Sequence, residues 1–369
     1  MKEKVVPIRS ALIFGGAGFI GSNWAHRLLK TADAKVHIFD NLSRRGVHHN
    51  VKWLQKAAQG SDRLQITIGD VRDTASVQRA VERATEIYHF AAQVAVTTSV
   101  TDPRFDFEVN VGGTFNILEA ARQSGRDPFL LFTSTNKVYG EMCSQPVMPA
   151  PRRYECAVGK GVTEAQPLDF HSPYGCSKGA ADQYVHDYFR IFNLPTVVFR
   201  MSCIAGPRQF GNEDQGWVAH FLYSALRRRP ITIYGDGRQV RDVLAVEDLM
   251  RAFEAVRANV NRTAGEVYNV GGGMANTVSL LELMDEIEKL TGHTLEYERQ
   301  AMRPGDQPLY VTDFSKLQQQ VGWAPKMSVR EILSSIHSWW KENADLFQVP
   351  TLARPMPVPQ LAHVPEVAS

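Results

Sequence analysis

The first 200 residues alternate short apolar runs with segments of helical period. Between the apolar runs, segments such as 74–84 and 111–123 carry apolar residues three and four positions apart, which predicts helices. Strands that are nearly continuously apolar and alternate with helices are typical of a parallel sheet covered on both faces. The pattern therefore predicts an α/β fold with a doubly wound parallel Rossmann sheet. The strand-like runs lie at 11–16, 35–40, 64–70, 86–92, 129–134 and 195–200.

Beyond Met201 the alternation is less regular. Residues 231–235 and 266–272 look like strands, and 279–292 and 329–344 look like amphipathic helices. We expect these helices to belong to a smaller second α/β unit. The last twenty residues contain five prolines and few large apolar side chains, which predicts a tail or a loosely docked arm.

Composition limits the classes of function. The chain has 369 residues, is 44% hydrophobic and 22% charged, and carries a net charge of +2. This charge gives no electrostatic argument for nucleic acid or a membrane as the main partner. The four cysteines show no CxxC or zinc-type spacing, so we expect reduced thiols, no bound metal and a cytoplasmic protein.

A glycine-rich turn follows the first strand-like run. Gly15, Gly18 and Gly21 form a GxxGxxG pattern that ends a strand and opens a helix. A pyrophosphate site needs this arrangement, because it combines a tight turn, close backbone approach and free N–H groups at a helix N-terminus. A strand–helix turn that merely needs positive φ is the alternative.

Acidic residues end the next two strands. Asp40, some twenty residues after the glycines, is placed to bind a ribose diol, which favours NAD over NADP. Arg44 and Arg45 nearby keep NADP open. Asp70 would accept a hydrogen bond from an adenine amine or would cap a helix.

Tyr174 and Lys178 lie four residues apart at the start of a predicted helix, so the phenol and the ammonium share one face. Lys178, helped by a cationic nicotinamide, would lower the pKa of Tyr174 toward neutrality and make it a general base. A surface pair at this spacing is the alternative. The nucleotide motif at the start of the chain favours the catalytic interpretation.

Six motifs occur in the order found in one family. They are GxxGxxG at 15–21, HFAAQ at 89–93, NVGGT at 110–114, TSTNKVYG at 133–140, YxxxK at 174–178 and RQVRDVLAVEDL at 238–249. In these motifs the chain resembles the extended short-chain dehydrogenases/reductases that act on nucleotide sugars, over nearly its whole length to about residue 345.

The resemblance implies a discontinuous architecture. An NAD-binding domain would comprise residues 1–200 and 236–270. A nucleotide-sugar domain would comprise 201–235 and 271–345, followed by a proline-rich tail at 346–369. Family members pair two long helices, here 105–123 and 174–192, so the resemblance implies a homodimer or homotetramer.

The resemblance also implies roles for individual residues. The catalytic group would be Thr135, Tyr174, Lys178 and Asn136. NAD, tightly bound and recycled, would contact Gly15, Gly18, Phe19, Ile20, Gly21, Asp40, Asn41, Asp70, Val71, Ala91, Ala92, Gln93, Asn110, Thr133, Tyr174, Lys178 and Met201. The nucleoside-diphosphate sugar would contact Gln93, Thr135, Asn136, His171, Gln209, Gln215, Gly216, Trp217, Arg241 and Arg303. His171 as a loop cap and Trp217 as a packing residue are the alternatives.

The residues after Thr135 separate possible reactions. The 4,6-dehydratases of this family carry an aspartate and a glutamate there, whereas this chain has Asn136 and Lys137. An amide cannot protonate a departing hydroxyl, so dehydration is disfavoured and reversible oxidation of a sugar carbinol remains. The longer motifs resemble 2-epimerases of CDP-linked hexoses. A 4-epimerase or uronate decarboxylase on the same fold, and a non-catalytic NAD(H)-sensing protein, are the alternatives.

Overall fold

The computed structural model describes residues 9–31, 34–142, 147–156, 161–303 and 306–347. Most of the predicted tail, from residue 348 onward, lies outside the described residues.

Fifteen strands are present in the described residues. They are β1 (Arg9–Phe14), β2 (Ala34–Asp40), β3 (Leu64–Ile68), β4 (Glu86–His89), β5 (Phe129–Thr135), β6 (Val147–Pro149), β7 (Tyr154–Cys156), β8 (Thr196–Met201), β9 (Cys203–Ala205), β10 (Ile231–Tyr234), β11 (Val240–Ala245), β12 (Glu266–Val270), β13 (Thr277–Ser279), β14 (Tyr297–Gln300) and β15 (Leu309–Tyr310).

Thirteen α-helices accompany these strands in the same described ranges. They are α1 (Phe19–Thr31), α2 (Val47–Ala57), α3 (Thr74–Val81), α4 (Val96–Thr101), α5 (Pro103–Phe107), α6 (Gly113–Gln123), α7 (Ser172–Phe192), α8 (Trp217–Leu226), α9 (Val246–Ala258), α10 (Val260–Thr263), α11 (Leu280–Thr291), α12 (Ser315–Val321) and α13 (Val329–Glu342). A π-helical segment, Glu108–Gly112, joins α5 to α6, and a 3₁₀ turn, Asn136–Tyr139, follows β5.

Seven parallel strands form the central sheet, in the order β12-β8-β5-β4-β1-β2-β3. Apolar clusters cover both faces of the sheet. One contains Trp24 and Phe253, and the other contains Phe14, Phe132 and Tyr188. The predicted doubly wound α/β fold is confirmed. The strand order reverses between β1 and β4, and in such sheets this point opens a crevice at the carboxyl ends of the strands.

The remaining strands form smaller sheets. β11 pairs with β9, β13 and β15, and β10 pairs with β14. A separate apolar cluster joins α8, α11 and α13. Of the segment 236–270, β12 extends the central sheet, whereas β11 belongs to the smaller sheets. The two-domain division stays a prediction.

Apolar side chains lie on the surface of α6 and α7. Phe115 and Tyr184 are about half exposed and form an edge-to-face pair, and Ile191 is more exposed still. Exposed aromatic and aliphatic side chains on neighbouring helices are typical of a surface that pairs with another chain. This arrangement is compatible with the predicted pairing of helices, and the oligomeric state stays a prediction.

A buried ion pair fastens α7 to the central sheet. Arg200 of β8 donates two hydrogen bonds to the carboxylate of Asp182, at 2.9 and 2.8 Å, and both side chains are buried. Arg200 also donates to the Tyr139 hydroxyl at 3.1 Å, which in turn donates to Asn269 at 2.7 Å. The pair thereby sets the position of the helix that begins with Ser172.

We expect Asp182→Ala to lower the free energy of unfolding by about 3–5 kcal/mol, because it leaves the Arg200 charge buried without its partner. Urea unfolding monitored by circular dichroism measures the change. Asp187→Ala on the same helix is the control, since the Asp187–Arg190 pair is exposed and its loss should cost less than about 1 kcal/mol. Equal losses in the two variants would contradict the anchoring role.

Candidate active site

The glycine-rich turn between β1 and α1 has no room for a Cβ at Gly15, and the start of α1 has none at Gly21. Gly15 has φ of 76°, and a Cβ there would lie 2.7 Å from the backbone nitrogen of Ala91. A Cβ on Gly21 would lie 2.2 Å from the carbonyl oxygen of Gly15. The turn therefore brings bare backbone to the crevice at the N-terminus of α1, which fits a pyrophosphate group.

Asp40 ends β2 next to this turn. Its Oδ2 accepts a hydrogen bond from the Ala17 N–H at 3.0 Å, and its Oδ1 accepts from the Leu42 N–H at 2.8 Å. Burial raises the pKa of the Asp40 carboxyl, and these backbone bonds act in the opposite direction. The carboxylate is thus held at the rim of the crevice, where the sequence predicted a ribose contact.

Asp70 pairs with Arg72, whose side chain donates hydrogen bonds to both carboxylate oxygens at 3.0 and 2.9 Å. Asp73, not Asp70, caps α3 by accepting from the N–H groups of Ala75 and Ser76. The capping interpretation of Asp70 is therefore wrong. Asp70 lines the crevice, and its contact with adenine stays a prediction.

Tyr174, Thr135 and Lys178 lie together at the ends of β5 and α7. Burial raises the pKa of Tyr174 to about 12, and a hydrogen bond with the Thr135 hydroxyl acts against this rise. Lys178 donates from Nζ to the Thr133 carbonyl at 2.8 Å, with its ammonium over the Phe132 ring. Burial lowers the pKa of Lys178 to about 7.

The predicted fall of the Tyr174 pKa toward neutrality is absent from this structure, because desolvation of the phenolate outweighs the groups that favour it. The i,i+4 pair is buried, so the surface-pair interpretation of Tyr174 and Lys178 is also wrong.

Asn136 is oriented by a residue from a distant part of the chain. Its Nδ2 donates to Oε1 of Gln307 at 3.2 Å, and Gln307 is fully buried and donates to the Gly140 carbonyl at 2.6 Å. Asn136 Oδ1 lies 3.3 Å from the Thr135 hydroxyl. The amide is therefore held beside the Thr135 hydroxyl.

Lys137 and Arg241 share one carboxylate. Asp306 Oδ1 lies 3.2 Å from Lys137 Nζ and 2.7 Å from Arg241 Nη2. Burial lowers the pKa of Lys137, and the two cations hold the pKa of Asp306 below its usual range despite burial. This cluster joins the 3₁₀ turn after β5 to β11.

Arg303 also lines the crevice. It pairs with Asp214 at 3.2 Å, and its guanidinium lies 3.8 Å from the centre of the Tyr234 ring. Its Nε is buried without a hydrogen-bond partner among the described residues. A planar guanidinium held in this way suits a phosphate oxygen.

Two alternatives from the sequence can be compared with the structure. His171 occupies the N-cap position of α7, but its side chain makes no capping bond and instead lies within 3.4 Å of Glu141 and 3.2 Å of Asp169. Trp217 donates from Nε1 to Cys203 Sγ at 3.2 Å and also lines the cavity. Trp217 therefore packs between elements and faces the cavity at once.

One cavity of about 1400 Å³ contains every predicted site residue except Asn110. Asn110 lies behind the wall, where its side chain exchanges hydrogen bonds with the backbone of Gln93 at 3.0 Å. It is therefore placed to hold the segment that lines the cavity. The roles of the individual residues stay predictions.

Sequence reasoning missed several residues of the site. Asp306 and Gln307 orient Lys137 and Asn136, and they lie three and four residues after Arg303 in the chain, which is the available signal. Arg44 lines the cavity, hydrogen-bonds to Gln215, and has its pKa lowered by burial. In the sequence, the position of Arg44 near Asp40 bears only on the choice between NAD and NADP.

Within the part of the chain that the structure describes, no group of three or more His, Cys, Asp or Glu side chains is arranged to hold a metal ion. In the same residues, no helix has the length and apolar character that crossing a bilayer requires.

Known proteins resemble this chain over most of its length. The family described as GDP-mannose 4,6 dehydratase matches residues 12–336. The CDP-paratose 2-epimerase of Salmonella typhi is 41% identical over 336 residues, which cover 89% of this chain and 98% of the relative. The dTDP-glucose 4,6-dehydratase of Salmonella typhimurium is 32% identical, over 90% of this chain and 92% of the relative.

A solved structure, the UDP-glucose 4-epimerase of Thermus thermophilus in complex with NAD, is 33% identical with a TM-score of 0.74. The match covers 90% of this chain and 99% of that one. The UDP-glucuronic acid 4-epimerase of Bacillus cereus, in complex with UDP-glucuronic acid and NAD, has a TM-score of 0.78 at 27% identity, over the same shares of the two chains.

We expect Gly21→Ala to displace the turn, because the new Cβ would meet the Gly15 carbonyl, and to weaken dinucleotide binding at least tenfold, or about 1.4 kcal/mol. The dinucleotide released on denaturing the purified protein measures the loss. Gly112→Ala is the control, since a Cβ at that helical position meets no atom within 4 Å. Full retention by Gly21→Ala would show that the turn does not hold the dinucleotide.

Proposed function

The chain belongs to the GDP-mannose 4,6 dehydratase family of extended short-chain dehydrogenases/reductases, and from this premise we propose that it is an NAD-dependent epimerase acting at C2 of a CDP-linked hexose. The CDP-paratose/CDP-tyvelose and CDP-glucose/CDP-mannose pairs are the sugars we expect. Similarity to a CDP-paratose 2-epimerase supports the choice of carbon and nucleotide.

The environment of Thr135 is the observation that supports epimerisation over dehydration. Dehydration needs an acid to protonate a departing hydroxyl and a base to remove a proton from the adjacent carbon. The positions after Thr135 instead hold the Asn136 amide, fastened to Gln307, and the Lys137 ammonium, paired with Asp306. Groups of this kind favour oxidation and return at one carbinol carbon, with no loss of water.

The dinucleotide end of the cavity fits NAD. The bare backbone of the glycine turn would take the pyrophosphate, and the Asp40 carboxylate would take a ribose diol and repel a 2′-phosphate. NAD, when bound, supplies the reversible two-electron oxidation that epimerisation requires. Because oxidation and reduction alternate at one sugar carbon, the reaction has no net redox change.

The chain's own residues move and hold the proton. Tyr174 would take the proton of the sugar hydroxyl in the first half of the reaction and return it in the second. The Thr135 hydroxyl, hydrogen-bonded to Tyr174, would share a hydrogen bond with the reacting sugar oxygen. Lys178, held on the Thr133 carbonyl, would keep positive charge near the phenol. Asn136 is close enough to Thr135 to orient the intermediate carbonyl.

The end of the cavity opposite the glycine turn would bind the nucleoside diphosphate of the substrate. Arg241 and Arg303 enter it from β11 and from the segment after β14, each held by a carboxylate. Gln209 and Gln215 line the same region, where they would contact the nucleoside. Between the two ends, the reacting sugar would lie against Thr135, Asn136 and Tyr174.

We expect purified protein to interconvert a CDP-hexose and its C2 epimer, with no deuterium at C2 when the reaction runs in heavy water, since hydrogen returns without exchange. Incubation with CDP-, UDP-, GDP- and dTDP-hexoses, followed by NMR of the product sugar, measures both carbon and nucleotide. Inversion at C4 or loss of CO₂ from a uronate would replace the C2 proposal with one of its alternatives. Deuterium from the solvent at C2 would exclude direct return of the hydride to that carbon.

We expect Tyr174→Phe to lower turnover by about 10²–10⁴-fold while leaving NAD content unchanged, because only the proton-transfer group is lost. Turnover is followed by NMR and NAD by release on denaturation. Tyr184→Phe, an exposed tyrosine of the same helix, is the matched control and should retain activity. Survival of turnover in Tyr174→Phe would refute the assignment of the base.

A further inference from the structure

Gln307 lies at the centre of a series of hydrogen bonds that run in one direction. Its side chain is fully buried, just before β15. Its Nε2 donates to the Gly140 carbonyl at 2.6 Å and lies 3.5 Å from the main-chain carbonyl oxygen of Asn136. Carbonyl oxygens can only accept hydrogen bonds. The amide nitrogen of Gln307 must therefore face the 3₁₀ turn, because the reverse orientation would place Oε1 against two carbonyl oxygens.

The orientation of Gln307 fixes that of Asn136. With its nitrogen turned to the main chain, Gln307 presents Oε1 to Asn136, whose Nδ2 donates to it at 3.2 Å. Asn136 is itself buried. If its amide were reversed, Oδ1 would face Oε1 and two buried acceptors would share no hydrogen, which is costly. Asn136 therefore keeps its nitrogen toward Gln307 and its Oδ1 3.3 Å from the Thr135 hydroxyl.

The Thr135 hydroxyl is the last group in this series. A hydroxyl has one hydrogen to donate and two lone pairs that accept. The Lys137 N–H donates to Thr135 Oγ1 at 3.2 Å and uses one lone pair. Because Asn136 offers an oxygen and not an N–H, Thr135 has an acceptor for its hydrogen and keeps its second lone pair for another donor. A reversed Asn136 amide would donate to Thr135 and take that lone pair.

We propose that Gln307 is a positioning residue that fixes the direction of the Asn136 amide and thereby leaves the Thr135 hydroxyl able both to accept and to donate. This role rests on the proposed function only in that Thr135 contacts the reacting sugar oxygen. That oxygen is a hydroxyl in the substrate and a carbonyl in the intermediate, so its partner meets a donor in one form and a pure acceptor in the other. Gln307 is absent from the described residues that line the cavity, so it acts through Asn136.

The same bonds select an amide over an acid at position 136. An ionised carboxylate has no hydrogen to donate, so one at position 136 would set an oxygen against Gln307 Oε1. At position 307 a carboxylate would meet the Gly140 carbonyl in the same way. Either change is tolerated only while the new acid keeps its proton, because a protonated carboxyl donates one hydrogen bond and accepts another. A purely steric role for Gln307 would give no such dependence on pH.

Charged groups on the two segments that meet here act in both directions on an acid introduced at position 307. Lys137 and Arg241 favour its ionised form, but both contact Asp306 Oδ1, at 3.2 and 2.7 Å. Asp306, the preceding residue, and burial favour the protonated form. The Gly140 carbonyl lies at hydrogen-bond distance from the Gln307 nitrogen and also requires a donor. We therefore expect a glutamic acid there to keep its proton above the usual pKa of about 4.3.

The first experiment needs no substrate. Urea unfolding of Gln307→Glu is compared with that of the unmodified protein at about pH 4.5 and about pH 8. Because the folded pKa of the new acid is raised above the unfolded one, the variant loses stability as the pH rises through that interval. Its urea midpoint should lie close to that of the unmodified protein at the lower pH and well below it at the higher one. Gln319→Glu is the control, because Gln319 is exposed on α12, and its midpoint should follow the unmodified protein at both pH values.

The second experiment measures kcat of Gln307→Glu as a ratio to that of the unmodified enzyme at each pH. We expect the ratio to fall as the pH rises and to reach about a tenfold loss at about pH 8, because the ionised carboxylate is repelled by the Gly140 carbonyl and no longer holds Asn136. NAD released on denaturation should be unchanged. The ratio for Gln319→Glu should stay near one throughout.

Asn136→Asp tests the same contact from the other side and keeps the experiment decisive if Gln307→Glu does not fold. Its urea midpoint should also fall relative to the unmodified protein as the pH rises, since only the protonated acid can donate to Gln307 Oε1. Differences independent of pH in both variants would overturn the assigned hydrogen-bond direction. A falling midpoint with an unchanged kcat ratio would overturn the positioning role. If no nucleotide sugar is epimerised, the C2 proposal fails, and the urea midpoints still decide the direction.

Discussion

The site depends on one constraint: in a parallel sheet, the carboxyl ends of all the strands lie at the same edge. Residues that end strands more than 100 positions apart, such as Phe14 and Thr135, therefore lie on the same edge, with only β4 between their strands. Where the strand order reverses between β1 and β4, this edge opens into a crevice. The glycine turn follows β1 and Thr135 ends β5, so both line the same cavity.

Burial sets the electrostatics of the crevice. A charge removed from water must be paired or change its protonation state, and both outcomes occur here. Arg200 is paired with Asp182, and Asp306 balances Lys137 together with Arg241. Lys178, by contrast, is held on a carbonyl, and its pKa falls to about 7. Burial thus lowers the pKa of Lys178, whereas despite burial the contact with Asp182 raises that of Arg200.

The chemistry next to Thr135 shows how one fold separates two reactions. The sheet and the catalytic hydroxyl, phenol and ammonium suit any oxidation of a sugar carbinol. Water loss requires an acid and a base at the two positions after Thr135, and this chain has the amide of Asn136 and the ammonium of Lys137 there instead. Gln307 and Asp306 then hold these two side chains in place. In the proposed function, reaction type depends on these two adjacent residues and on the segment that orients them.

The sequence by itself determined the local features: six central strands, the glycine turn, and the phenol and ammonium on one helical face. These follow from side-chain period and spacing over a few residues. Only the tertiary structure decided that Gln307 holds Asn136 across 171 residues and that β11 belongs to a smaller sheet and not to the central one. It also decided the direction of the Tyr174 pKa, because desolvation depends on which distant segments cover a group, and local sequence does not carry that information.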